Sequence, residues 1–185
     1  RVENVGPKVS RELIKSAAIA IALSMFAMLV YIWFRFEWQF SLASIIALVH
    51  DVLITLGIFS ILSLEVNLSI VAALLTIVGY SLNDTVVIFD RIRENLRKYS
   101  KIPIGEISDI STNETLSRTV ITSLTTLLAL LSIYFFGGEI LKGFSFAMII
   151  GVIIGTYSSI FVATPILNYS KVSQKSVLKG EDKNN

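Results

Sequence analysis

The sequence predicts an all-α membrane protein, a polytopic bundle of transmembrane helices. Three observations carry this. Hydrophobic residues make up 54% of the 185 and charged residues 16%, where a soluble domain carries about 25% charged residues. Mean hydropathy is +0.72, above what a water-facing surface tolerates. The apolar residues are also gathered into five runs rather than spread along the chain. A disordered chain, a nucleic-acid-binding module and a soluble enzyme are excluded on this composition.

The runs are 13–34, 41–64, 68–89, 119–136 and 144–167. Each can cross about 30 Å of hydrocarbon as a helix rising ~1.5 Å per residue. Helices are required because lipid satisfies no open backbone groups. Barrel strands would alternate in polarity, and these runs do not. The first run is too long for a signal-peptide core, and no small-residue cleavage site follows it.

The connections differ in kind. Arg35–Phe40 is a short turn with Trp33 and Trp38 near it, as interfacial aromatics are placed. Glu65-Val66-Asn67 is a minimal turn, and the stretch from Phe136 to Gly143 is glycine-rich. The one long connection is 90–118. Its start prolongs the third helix, Pro103 and Gly105 break it, and 106–117 reads as a short amphipathic helix with Ile107, Ile110 and Leu116 turned to the bilayer. Residues 169–185 form a polar tail and 1–12 a polar stub; the chain opens on Arg1, as a fragment or processed product would.

Basic residues set the expected orientation. The side holding the Arg35 turn, the 90–118 connection and the tail carries eleven of them, and the other side five. The richer side, with the C-terminus, is then cytoplasmic.

Cysteine is absent and His50 is the single histidine. Disulfides, thiolate chemistry and His- or Cys-rich metal sites are excluded, and no cofactor is expected. The informative residues are ionisable groups inside the runs, where an Asp costs at least roughly 2.5–3.5 kcal/mol. Asp51 lies near the middle of the second run and Asp84 towards the cytoplasmic end of the third. Asp90 lies at the boundary and Arg118 just before the fourth run.

Helical spacing arranges these on faces. Ser44, Ala47, Asp51 and Thr55 share one stripe; Thr76, Tyr80, Asn83, Asp84 and Val87 another; Arg118, Thr122, Thr125, Ala129 and Ser132 a third. Ala17, Ala20, Ser24 and Ala27 mark the first helix, and Ala147, Gly151, Gly155 and Ser158 the fifth. The small faces predict close helix packing at Gly151 and Gly155. The polar faces of helices two to four are expected to converge. His50 is expected to hydrogen-bond rather than carry a proton. The Thr122–Thr126 hydroxyls either cross to a neighbour or return to their own helix.

A buried carboxyl favours its neutral form, and a nearby guanidinium favours the anion. An Asp moving between such settings binds and releases a proton. A proton crossing down the membrane potential yields ~2.3 kcal/mol per 100 mV. Arg118 is the arginine placed to reach Asp84 from another helix.

The stretch Val78-Gly79-Tyr80-Ser81-Leu82-Asn83-Asp84-Thr85, followed by Asp90-Arg91-Ile92-Arg93-Glu94-Asn95, resembles the SecF branch of the SecD/SecF protein-export family. Val5-Gly6-Pro7, Phe34 to Trp38, Ala47 to Asp51, Arg118-Thr119 with Thr122-Ser123, Phe136-Gly137-Gly138 and Gly151 to Ile160 resemble further blocks, in order over residues 2–168. The resemblance implies the C-terminal five-helix half of such a subunit, an RND-like half bundle, with 1–12 the remnant of a missing periplasmic domain. It implies SecD, the SecYEG translocon, preprotein substrates, protons and membrane lipids as partners, and no nucleic acid. It implies an inner-membrane, non-enzymatic role in which the proton gradient assists late translocation. Asp84 and Arg118 fall on the family's proton-path motifs, and Asp51 on a further acidic position; with Asn83 they form the expected relay. His50, Tyr80, Thr122 and Thr125 would support it. A small-molecule or lipid exporter of RND type is the alternative. An intramembrane aspartyl protease and a bare scaffold are weaker ones. The protease would use Asp51 and Asp84, but Asp84 follows Tyr-Ser-Leu-Asn rather than Gly-x-Gly.

Overall fold

The computed structural model describes residues 7–99, 101–170 and 172. They form α1 (Pro7–Arg35), α2 (Trp38–Ile61), α3 (Leu68–Lys98), α4 (Ile104–Phe136), α5 (Glu139–Ser158), a π turn (Ser159–Ala163) and α6 (Thr164–Tyr169). Among the described residues there is no strand. Five helices are long and apolar enough to cross a membrane, with α5, the π turn and α6 forming one continuous span. Most of the stub and tail lies outside the described residues; of the tail beyond Ser170, only Val172 is described, and it is buried.

Local chemistry explains the breaks. The Asn67 side chain accepts the Ile70 backbone N–H at 3.1 Å and so caps α3. Pro103 precedes α4, and Gly138, at φ 77°, supplies the left-handed turn before α5.

The hairpin of α3 and α4 departs from the sequence expectation. Residues 106–117 are not a separate helix on the bilayer. They are the first turns of α4, which runs unbroken from Ile104. Ile107 is fully buried, Ile110 is half-buried, and of the three only Leu116 is exposed. Ile107 packs in a core with Phe36, Phe89, Ile92, Leu96, Leu167 and Val172. With 31 and 33 residues, α3 and α4 are about 46 and 50 Å long and outreach the ~30 Å hydrocarbon layer. Arg91 Nε donates to Glu114 at 2.6 Å, and the buried Asn95 amide donates to Ser111 at 2.9 Å and Glu114 at 2.8 Å. A lone amphipathic turn has only lipid to cover its apolar side. Here the facing helix covers it.

The core has two clusters. One lies at the hairpin end. The other joins Phe59, Ile70, Leu74, Ile77, Leu130, Met148 and Val152. Along the fifth span the change of cluster falls between Val152 and Ala163. That interval holds Gly155, Ser158 and Ser159, and it is where the buried polar groups gather. α1 is peripheral, with most of its apolar surface facing outwards.

Candidate functional site

Small residues on α5 let α3 approach closely. A Cβ on Gly151 would lie 2.3 Å from Ile77 side-chain atoms, and one on Gly155 would lie 2.9 Å from the Ser81 Cβ. Both glycines are buried on the crossing. On the small stripe of the sequence (Ala147, Gly151, Gly155, Ser158), the two glycines are therefore presented to α3, while Ser158 bonds Asp51 on α2.

This approach brings three helices to one carboxylate. Asp51, on the buried stripe of α2, is 1% exposed. Its Oδ2 accepts the hydroxyls of Ser81 at 2.5 Å and Ser158 at 2.8 Å. Its Oδ1 lies 3.0 Å from His50 Nδ1. The Thr55 hydroxyl returns to the Asp51 carbonyl at 2.8 Å. His50 is thus a hydrogen-bonding partner, half-exposed at the rim. Both carboxylate oxygens of Asp51 are occupied.

Asp84 is placed differently. It is 3% exposed, one turn along α3 from Ser81, and its Oδ2 is buried with no hydrogen-bond partner. Thr85 beside it bonds Ser159 on the π turn at 2.9 Å. The cation that acts on Asp84 is Arg118 of α4. It does so across space, since no ion pair joins them. Arg118 itself is exposed.

The expected convergence of polar faces is only partly realised. The α2 stripe is buried throughout. The α3 stripe divides: Asp84 is buried with Ser81 and Thr85, while Thr76 and Asn83 are exposed and Tyr80 is half-buried. Tyr80 donates to Thr126 on α4 at 3.3 Å. The α4 stripe of Arg118, Thr125, Ala129 and Ser132 is exposed, with Thr122 half-buried. Thr122 returns its hydroxyl to the Arg118 carbonyl and Thr125 to those of Ile121 and Thr122. The side of α4 turned inwards lies about 100° round the helix from that stripe, through Thr115, Thr119, Ser123 and Leu130. Ser123 bonds Thr156 at 2.7 Å. Asn83, Thr125 and Arg118 are therefore exposed, and none of them is among the hydrogen-bond partners of Asp51. Spacing located each stripe but could not say which side of a helix its neighbour covers.

Sequence reasoning passed over Ser81, Thr85 and Ser159. Serine and threonine are common in membrane helices, and nothing in their spacing marks which will bond a carboxylate, as Ser81 does, or each other, as Thr85 and Ser159 do. The Thr164-Pro165 pair was the available signal for an irregular turn.

At the helix end beyond Asp84, Arg35 pairs with Asp90 at 3.0 Å. Arg93, nearly buried, lies 3.7 Å from Glu37 and stands over the Phe36 ring. These contacts tie the α1–α2 turn to α3.

A family model described as protein export membrane protein SecD/SecF, C-terminal, matches residues 1–173. The chain belongs to the SecD/SecF family. Among curated relatives, a protein translocase subunit SecF from Cereibacter sphaeroides is 55% identical over 94% of this chain and 53% of its own length. Another of that description from Rickettsia akari is 58% identical over 90% of this chain and 54% of its own. The chain thus spans about half the length of the SecF relatives it matches. A crystal structure of SecDF, a translocon-associated membrane protein from Thermus thermophilus, superposes with a TM-score of 0.85 at 47% identity, over 90% of this chain and 23% of that one. SecDF in a super-membrane-facing form gives 0.78 at 42% identity, over 97% and 23%. The five apolar helices are thus those of a multi-pass SecD/SecF membrane bundle.

Proposed function

We propose that this SecD/SecF chain is the membrane half of an inner-membrane SecF subunit that couples proton flow to late Sec-dependent protein translocation, beside SecD and the SecYEG translocon. Family membership and the relatives named SecF support the translocation role. The observation that carries the proton role is Asp84: a buried carboxyl with one oxygen that no donor occupies. Such an oxygen has the capacity to take a proton, whereas both oxygens of Asp51 are already engaged.

The mechanism follows from what faces Asp84. Arg118 acts on it from α4 without a fixed ion pair. A guanidinium at the rim favours the anion when it approaches and loses that hold when it withdraws. A small movement of α4 against α3 then binds or releases one proton. Asn83 and Thr125 are exposed and Thr122 half-buried, where a second membrane subunit or water would meet the route. The eleven-to-five distribution of basic residues supports a cytoplasmic hairpin and C-terminus.

Asp84→Asn in the full-length subunit, co-produced with SecD, tests this in inverted vesicles. Proton flux and proton-dependent preprotein export are expected to be lost while SecD still co-purifies. Normal export by the Asn variant would sink the coupling role.

A further inference from the structure

The fifth span contains a feature that costs free energy. A π turn is rare within an α-helix and persists where surroundings hold it. Ser159–Ala163 forms one near the middle of the protein's polar layer. Part of its cause is local. Pro165 lacks an N–H, and in a regular helix its ring would collide with the Phe161 carbonyl four residues earlier. Thr164 compensates by donating its hydroxyl to the Ser159 carbonyl at 3.0 Å.

The rest is tertiary. Ser158 and Ser159 are consecutive, so their side chains leave the span about 100° apart. Each has a separate partner. Ser158 donates to Asp51 on α2 at 2.8 Å. Ser159 bonds Thr85 on α3 at 2.9 Å, where Thr85 can donate because the Ser159 hydroxyl itself reaches the Gly155 carbonyl at 2.8 Å. Ser81 in turn donates to the same Asp51 oxygen as Ser158, at 2.5 Å. Asp51, Ser81, Thr85, Ser158 and Ser159 are all 2% exposed or less. The α3 turn carrying Asp84 is therefore gripped at both ends, at Ser81 through Asp51 and at Thr85 through Ser159. Beyond the π turn, Leu167 is fully buried and Asn168 accepts the Ser108 hydroxyl at 2.6 Å.

We infer that Asp51 is a positioning residue: its carboxylate joins Ser81 to Ser158, holds the π turn in register against α3, and so fixes the α3 turn that presents Asp84. The inference rests on the reading of Asp84 as the proton-binding group. It assigns Asp51 no proton to carry. Asn at position 51 would serve as well, because its amide oxygen can accept both serines and its NH2 can donate to His50.

The test uses the full-length subunit reconstituted with SecD in vesicles, with proton flux measured per purified, monodisperse complex. Asp51→Asn is expected to keep flux within about threefold of wild type, and Asp51→Ala to lose about tenfold or more, as hydrogen bonds to a charged group are worth. The infrared carboxyl band of Asp84, identified by its loss in Asp84→Asn, is expected to shift in Asp51→Ala and Ser158→Ala. It should stay in place in Asp51→Asn and in the exposed control Ser132→Ala. Should Asp51→Ala fail to assemble, Ser158→Ala carries the same contrast, with about a threefold loss of flux. Flux in Asp51→Asn as low as in Asp84→Asn overturns the inference by making Asp51 a carrier. Wild-type flux with an unmoved band in Ser158→Ala and Asp51→Ala also overturns it. If Asp84→Asn still conducts, the reading of Asp84 fails separately, and the band positions decide the role of Asp51.

Discussion

Two aspartates of one bundle carry the same charge and differ in what surrounds them. Asp51 has two hydroxyls and an imidazole on its carboxylate, and Asp84 has a buried oxygen with none. Their neighbours, not their residue type, separate an anchor from a proposed carrier. Both depend on the α3–α5 crossing, and that crossing depends on single hydrogen atoms. Gly151→Ala places a methyl where Ile77 already stands, 2.3 Å away. Overpacking of this kind costs about 1–3 kcal/mol. The expected result is a lowered thermal midpoint of the purified complex, partly restored in the double variant with Ile77→Ala. No restoration would mean that the two side chains do not meet there. The candidate acids were legible from sequence, since charge inside an apolar run is conspicuous. The hydroxyl partner Ser81 was not, because it differs in nothing local from Ser60 or Ser132, which bond no carboxylate.

Among the elements, the α3–α4 hairpin shows how burial overrides a sequence pattern. Ile107, Ile110 and Leu116 carry the periodicity of a surface helix. Once 104–136 is one helix beside α3, the same periodicity aims Ile107 at Leu96 and Leu167 instead of lipid. The hairpin extends past the hydrocarbon layer, so its packing is secured by polar bonds as well as apolar contact. Asn95→Ala removes two of them, to Ser111 and Glu114. At about 0.5–1.5 kcal/mol each, or more for the bond to the charged carboxylate, the loss should loosen the hairpin tip locally. Limited proteolysis within 99–103 is expected to accelerate several-fold, with overall helix content by circular dichroism unchanged. An unchanged cleavage rate would place the holding force in the apolar contacts alone. The cap on α3 offers a smaller check. Asn67→Ala should cost roughly 1 kcal/mol and lower the thermal midpoint without altering the fold, whereas an unmoved midpoint would deny the cap its role.

At the scale of the whole molecule, the five spans and two apolar clusters place the polar layer inside the bundle and the Arg118 stripe on its surface. A hydroxyl-lined face with one guanidinium, exposed on a membrane helix, is unlike the Leu- and Ile-rich surface that lipid covers. The proposed orientation makes a direct prediction. In intact cells stripped of their outer membrane, a membrane-impermeant maleimide should label Lys142→Cys and leave Lys101→Cys unlabelled until the membrane is opened. The reverse pattern would invert the topology and place Asp84 nearer the opposite face.

The sequence by itself determined the solvent, the number of spans and the family. Hydropathy is additive along a chain, and the Asn83-Asp84 and Arg118-Thr119 motifs lie within short stretches. Only the tertiary structure decided which side of each helix faces inwards, because a stripe has no meaning until a neighbour covers it. It turned Thr125 and Arg118 to the surface, joined Asp51 to Ser81 and Ser158 across three helices, and widened the fifth span at Ser159. Those outcomes depend on where α3 crosses α5. Two missing side chains, at Gly151 and Gly155, set that distance.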